Sequence, residues 1–367
     1  MRTSKLLVLL LGAVLLVAVG CERKITGDID EVVEFGPSNC FECHNDADFG
    51  LLVTAIQEQY EFSVHGSGNN TDRNRNNSSY YAACEKCHTS EGFIAEATGE
   101  PAAGDFFSPI GCFTCHAPHS DGNFGVRVES AVTLADGSQF DRGFANLCAS
   151  CHQSRRDVNT TVVAGVELSS HWGPHYSNQA DMLIGENSYE YDGYTYTKSP
   201  HSNVATNGCV DCHMSSALHS SVGGHSWNME NEDREFENIG GCNASTCHNG
   251  AVSTLDILAA ADFDGDGSIE GIQTEVHGMM DSLHVLLEDA GLVDEDGHPV
   301  EDRVVSTADS AGALYNFLFV EEDRSFGVHN TDYAVGLLQS SINFLNTGSP
   351  TKSPSGTARQ AKLISAH

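Results

Sequence analysis

Twelve of the thirteen cysteines in this 367-residue chain fall into six pairs, and histidine follows each pair at once. Five pairs read C-x-x-C-H: Cys40/Cys43/His44, Cys84/Cys87/His88, Cys112/Cys115/His116, Cys148/Cys151/His152 and Cys209/Cys212/His213. The sixth, Cys242/Cys247/His248, has two extra residues between its cysteines. Zinc knuckles and disulfides also pair cysteines, but neither requires His directly after the second one. His is 18 of 367 residues, so six out of six by chance is on the order of 10⁻⁸. The pattern is that of covalent c-type haem attachment. One helical turn sets two thiols on one side, where both can form thioethers with the haem vinyl groups. The next residue then aims an imidazole at the iron. The longer sixth loop can still reach both vinyls.

Six haems in 367 residues is roughly one per 60 residues, which leaves little protein to keep them apart. Hydrophobic residues are only 40% of the chain and aromatics 8%, while Gly numbers 36. Haem faces therefore take the place of aliphatic side chains in the core, and the peptide can be loop-rich. The expected fold is mainly α with extensive loops and little β structure, organised around stacked haems.

Arg2 and Lys5 precede an uncharged Leu/Val/Ala-rich run over residues 6–20. Fifteen such residues are short for a membrane span of about 20 and fit a secretory signal. Ala18-Val19-Gly20 leads into Cys21, the one cysteine outside the haem motifs. This resembles the lipobox of bacterial lipoproteins and makes Cys21 the expected lipidation site. The expected location is periplasmic or cell-surface, with the outer membrane favoured and the lipid as the sole membrane attachment. A formal charge of −33 argues against nucleic acid as a partner. It suits a redox-protein donor and acceptor, one of which can be extracellular.

Twelve histidines remain after the six proximal ones. A haem without a distal ligand would offer an open site to substrate. Candidate distal ligands sit in Ser63-Val64-His65, Pro118-His119, His171-Trp172-Gly173-Pro174-His175, Ser199-Pro200-His201, Gly223-Gly224-His225 and Gly327-Val328-His329-Asn330. Gly and Pro beside a ligand let the backbone approach the ring and fix its direction. These contexts resemble the multihaem c cytochromes that include cytochrome c554-like proteins and the ammonia-forming nitrite reductases. The resemblance runs from residue 40 to about 345 and nominates His65, His119, His175, His201, His225 and His329 as distal ligands. His171 rivals His175, and His219 rivals His225. The nitrite reductases carry a C-x-x-C-K site, which is absent here, and this speaks against that activity. His277 and His284 share one face of a predicted helix and read as structural; His298 and His367 read as solvent histidines.

Asp262-x-Asp264-x-Asp266-Gly267-Ser268-Ile269 matches the first eight positions of an EF-hand calcium loop. Position twelve is Gln273 rather than Glu, so Glu270 or Glu275 would have to compensate. Helices are predicted over 272–291, 308–320 and 331–346, the last capped by Thr331 or Asn330. The expected organisation is a haem-packing region over 21–250, a calcium loop and helical cap supplying His329 over 251–346, and a disordered tail over 347–367. Residues 66–79 read as a solvated loop. Tyr189, Tyr191, Tyr194 and Tyr196 read as packing residues.

Three functions stay open on these grounds. One is a six-haem electron carrier. Another is a reductase of a small nitrogen or sulfur oxyanion at one open haem. The third is a self-associating subunit of a cytochrome filament.

Overall fold

The computed structural model describes residues 49–67, 84–102, 107–117, 124–215, 219–231, 233 and 235–351. The leader over 1–20, Cys21, Cys40, Cys43, His44, His119 and His367 lie outside the described residues, as do most of the 66–79 loop and the tail beyond 351. The chain divides into two units at Leu52/Val53. Every described haem motif belongs to the second unit, and the leading helix enters that unit after its first turn.

The described residues are mainly helical, with short helices joined by long irregular stretches. Before residue 250 these helices are α1 Phe49–Glu61, α2 Val64–Ser67, α3 Glu85–His88, α4 Ser90–Thr98, α5 Cys112–Cys115, α6 Ala145–Ala149, α7 Val158–Thr161, α8 Gln179–Ile184, α9 His201–Val204 and α10 Cys209–His213. Strand structure among the described residues is limited to two-residue antiparallel pairs, Val132–Thr133 with Gln139–Phe140, Val166–Glu167 with Val304–Val305, and Glu230–Asn231 with Phe236–Glu237. Most haem-motif helices are a single turn, because a Cys-x-x-Cys-His segment needs one turn and no more.

The long helices come last: α11 Ile272–Asp289, α12 Ala308–Asp323 and α13 Thr331–Thr347. They start and stop on local signals. The Thr307 hydroxyl accepts the Ser310 N–H at the start of α12. Gly348, at φ 75°, ends α13. Val276, Met279 and Leu283 lie on the buried stripe of α11 as helical spacing predicts, but Leu286, which the spacing nominates next, is only half-buried, and the stripe continues through Leu287. Leu337 and Leu338 meet it from α13. Every residue of α12 from Ala311 to Val320 is buried. A helix apolar all round is a central helix, and α12 packs against α11, α13 and α8.

The tyrosine segment straps this core. Tyr333 Oη sits 2.6 Å from Ser188 Oγ and donates to Glu190 at 2.9 Å. Tyr189 donates to Asp309 and Tyr191 to the Asp309 carbonyl. Asn316, fully buried in α12, bonds both the N–H and the carbonyl of Tyr189. Buried polar groups are thus satisfied in place. The expected packing role fits these contacts, and residues 185–198 form no strand.

One expected cap is corrected. Neither Thr331 nor Asn330 caps α13 through its side chain. Asn330 is fully buried, and its amide bridges the Ser199 N–H and the Met182 carbonyl. Thr331 Oγ1 donates to the Gly327 carbonyl.

Candidate haem centres

Four of the five described haem motifs close on the same backbone bond, and the remaining one is itself a helical turn, Cys209–His213. The His88, His116 and His152 N–H groups donate to the carbonyl of their motif's first cysteine at 3.1, 3.0 and 2.8 Å. In the sixth motif His248 N–H still reaches the Cys242 carbonyl, at 3.0 Å, despite the two extra residues. These are absorbed in a bulge in which the Cys247 and Asn249 N–H groups both donate to the Ala244 carbonyl. The longer spacing therefore keeps the local geometry of the shorter one.

Across from five proximal histidines stand five of the six candidate distal ones. Ring centres are 6.0 Å apart for His152 and His65, 6.4 Å for His88 and His175, and 6.3 Å for His116 and His225. They are 6.1 Å apart for His248 and His201 and for His213 and His329. A metal–imidazole bond is about 2 Å, so two rings ligating one iron from opposite sides have centres about 6 Å apart. The residues present therefore fit a haem iron between each pair.

Local backbone and neighbouring side chains fix the distal segments. In the His171–His175 run, a Cβ on Gly173 (φ 135°) would approach a Leu318 methyl to 2.9 Å, so glycine lets this strand of chain pass α12. His175 itself takes φ 76°. His171 lines a cavity of about 340 Å³ with Trp172, Glu322 and Arg324, and among the described residues no proximal ring pairs with it. Gln59 of α1 accepts the His225 N–H at 3.0 Å. His219 stacks on Phe236 instead. His277 lies tilted against Phe326 and His284 stacks on Phe317, contacts that fit the packing role expected of both. His298 is exposed and near Asp294.

Several of these candidate rings are oriented through Nδ1, which leaves Nε2 available to a metal. His116 donates to the Phe124 carbonyl at 2.9 Å, His201 to that of Val328 at 2.8 Å and His213 to that of Trp227 at 2.8 Å. His152 meets Gln179 Oε1 at 3.2 Å. His329 meets Asp323 Oδ1 at 2.7 Å. Burial, with the neighbouring His152, pushes His65 down to about 4. Burial and the nearby His329 push His213 to about 4 as well. Both are neutral at pH 7, the form that binds a metal.

The attachment sulfurs also lie close to one another. Cys87 lies beside Cys151, Cys148 beside Cys209, Cys115 near Cys148 and Cys151, and Cys212 near Cys242, all as free thiols. These thiols stand for thioether sulfurs. Motif four thus adjoins motifs two, three and five, and motif five adjoins motif six. Trp227 adds a second link: its ring centre is 4.9 Å from that of His65 and 5.6 Å from that of His225.

In the acidic loop, oxygens of Asp262, Asp264 and the fully buried Glu275 lie within 4.8 Å of one another. Gln273 does not join them. Its N–H donates to Asp256 and its amide to the Ser325 carbonyl. Of the candidate ligands, Gln273 is turned away because α11 starts at Ile272, whereas Glu275, one of the two residues named to compensate, points back into the loop and accepts the Phe263 and Glu270 N–H groups. Asp266 groups with Asp264 and Glu270 at the exposed side. The Ser268 N–H donates to Asp266.

Asp323 and Gln179 were not singled out in the sequence. Asp323 lies just past the predicted end of its helix, and nothing local marks either residue as facing a ligand.

No protein-family description matches the chain, and no curated protein does. One solved structure, "Crystal Structure of Outer Cell Wall Cytochrome OcwA", is similar at 19% identity and a TM-score of 0.48. The likeness covers 78% of this chain and 49% of that one, so this chain spans about half the length of that protein. At that degree of likeness the histidine geometry, rather than the resemblance, supports the functional reading. No helix among the described residues is long and apolar enough to cross a membrane.

Proposed function

We propose that the chain is an exported six-haem c-type cytochrome that carries single electrons between redox partners. The observation that carries this reading is the five histidine pairs at 6.0–6.4 Å. Bound haem supplies reversible one-electron iron chemistry at each centre. The cysteines would fix each group covalently, and the paired imidazoles would both hold its iron, leaving no open site for an oxyanion. Proximity of the attachment cysteines keeps neighbouring centres within reach of one another. His44 and His119 are the proximal and distal candidates left after the five pairs, and the sequence alone supports them as the sixth. The reading includes lipidation at Cys21, export to the periplasm or cell surface, and a structural cation at Asp262, Asp264 and Glu275.

Low-temperature electron paramagnetic resonance on the ferric holoprotein tests it. Low-spin signals integrating to six irons are expected. A stoichiometric high-spin signal would replace the carrier with an oxyanion reductase at an open haem. If that signal vanished on self-association, a filament subunit would be the better reading, with a neighbour donating the missing histidine.

A further inference from the structure

The Nδ1 partners named above for five of the paired rings are not equivalent. Those of His116, His201 and His213 are peptide carbonyls, and that of His152 is a side-chain amide oxygen. The partner of His329 is a carboxylate. Asp323 is 2% exposed, at the end of α12. Its other oxygen, Oδ2, is held by the hydroxyl and N–H of Ser325, and the Ser325 hydroxyl also accepts the His329 N–H. Asp323, Ser325 and His329 therefore form a closed cycle. The carboxylate faces the ring and cannot swing to solvent.

A carboxylate on Nδ1–H makes the imidazole a stronger donor through Nε2. A stronger axial donor, and a negative charge in a buried setting, favour ferric over ferrous iron. We propose that Asp323 is a positioning and tuning residue that lowers the reduction potential of the haem held by His213 and His329, relative to the same haem with a neutral partner. This rests on the carrier reading. The centre concerned adjoins motifs four and six, so Asp323 biases where an electron resides in the middle of the series.

The test is a potentiometric titration of the full holoprotein, followed by electron paramagnetic resonance of individual low-spin signals. Asp323→Asn keeps the shape and an amide oxygen for Nδ1–H but removes the charge. One signal should change its g values, and its potential should shift upward. Ser325→Ala removes a donor from Oδ2, leaves the carboxylate more basic, and should shift the same signal downward. Mere loosening of the His329 segment would move both variants the same way. That result, or an unshifted or lowered potential in Asp323→Asn, overturns the proposal. If Asp323→Asn yields no holoprotein, Ser325→Ala decides alone: a downward shift supports the proposal and any other result overturns it. Haem count and spin state, measured on the parent protein beforehand, report separately on the carrier reading.

Discussion

At the scale of single residues, several of the paired rings are held in place by groups that do not themselves face the partner ring. His225 is an instance. Gln59 holds its backbone N–H, and Gly224, at φ 52°, turns the chain toward His116. Replacing His225 by Ala should remove one axial ligand and leave the polypeptide folded. The expected ferric spectrum has one high-spin iron per molecule beside otherwise unchanged low-spin signals. Six unchanged low-spin irons would show that His225 is not a ligand. The attachment motifs and five distal candidates were legible because the chemistry constrains adjacent residues: two thiols, one imidazole, and Gly or Pro at the turn. The pairing was not, because which ring faces which depends on long loops with no periodicity. Gln179 and Asp323 were invisible for the same reason, each reaching its histidine only through the tertiary fold.

At the scale of elements, α12 sets much of the architecture. It buries every side and ends at Asp323, one turn beyond the predicted end. That extra turn carries Glu322 and Asp323, whose polarity made the sequence signal stop early. Its Gly312 lies against the Tyr189 ring, and an added Cβ would collide with ring carbon. Alanine gains about 1 kcal/mol of helix propensity over glycine. Overpacking a well-filled site costs roughly 1–3 kcal/mol. The Tyr189 ring is tied to Asp309 and its backbone to Asn316, so it cannot yield freely. The clash should win: Gly312→Ala should lower the thermal midpoint by a few degrees with haem content intact. A raised midpoint would mean that the tyrosine strap is looser than its hydrogen bonds imply. The acidic loop before α11 yields a second expectation. If Asp262, Asp264 and Glu275 hold a cation, adding calcium to chelator-treated protein should raise the midpoint through binding to the folded state. The same addition should do nothing in Asp264→Asn.

At the scale of the whole molecule, one buried acid gives stability an unusual pH dependence. Asp181 is fully buried in α8, a helix that gives Met182 to one apolar cluster and Ala180, Leu183 and Ile184 to another. It accepts the Ser154 N–H at 2.7 Å and the Asn187 amide at 2.9 Å. Those donors favour the ionised form, but burial outweighs them and pushes the carboxyl up to about 7. An unfolded Asp titrates near 3.9 (an approximate reference value). Between those values the folded protein holds a proton that the unfolded chain has released. Stability from this group is therefore complete below about pH 4 and is lost as pH rises toward 7. The formal charge of −33 adds a self-repulsion that also grows as carboxyls ionise, so the parent protein's slope alone cannot be assigned to Asp181. Asp181→Asn separates the two. The amide cannot ionise, and its NH₂ must sit near a donor, which costs stability at every pH. The variant should melt below the parent at pH 5, and the gap should narrow by pH 8, where the parent carries a buried charge. Parallel melting curves across that range would show that Asp181 is ionised throughout and that its two donors, rather than its burial, set its state.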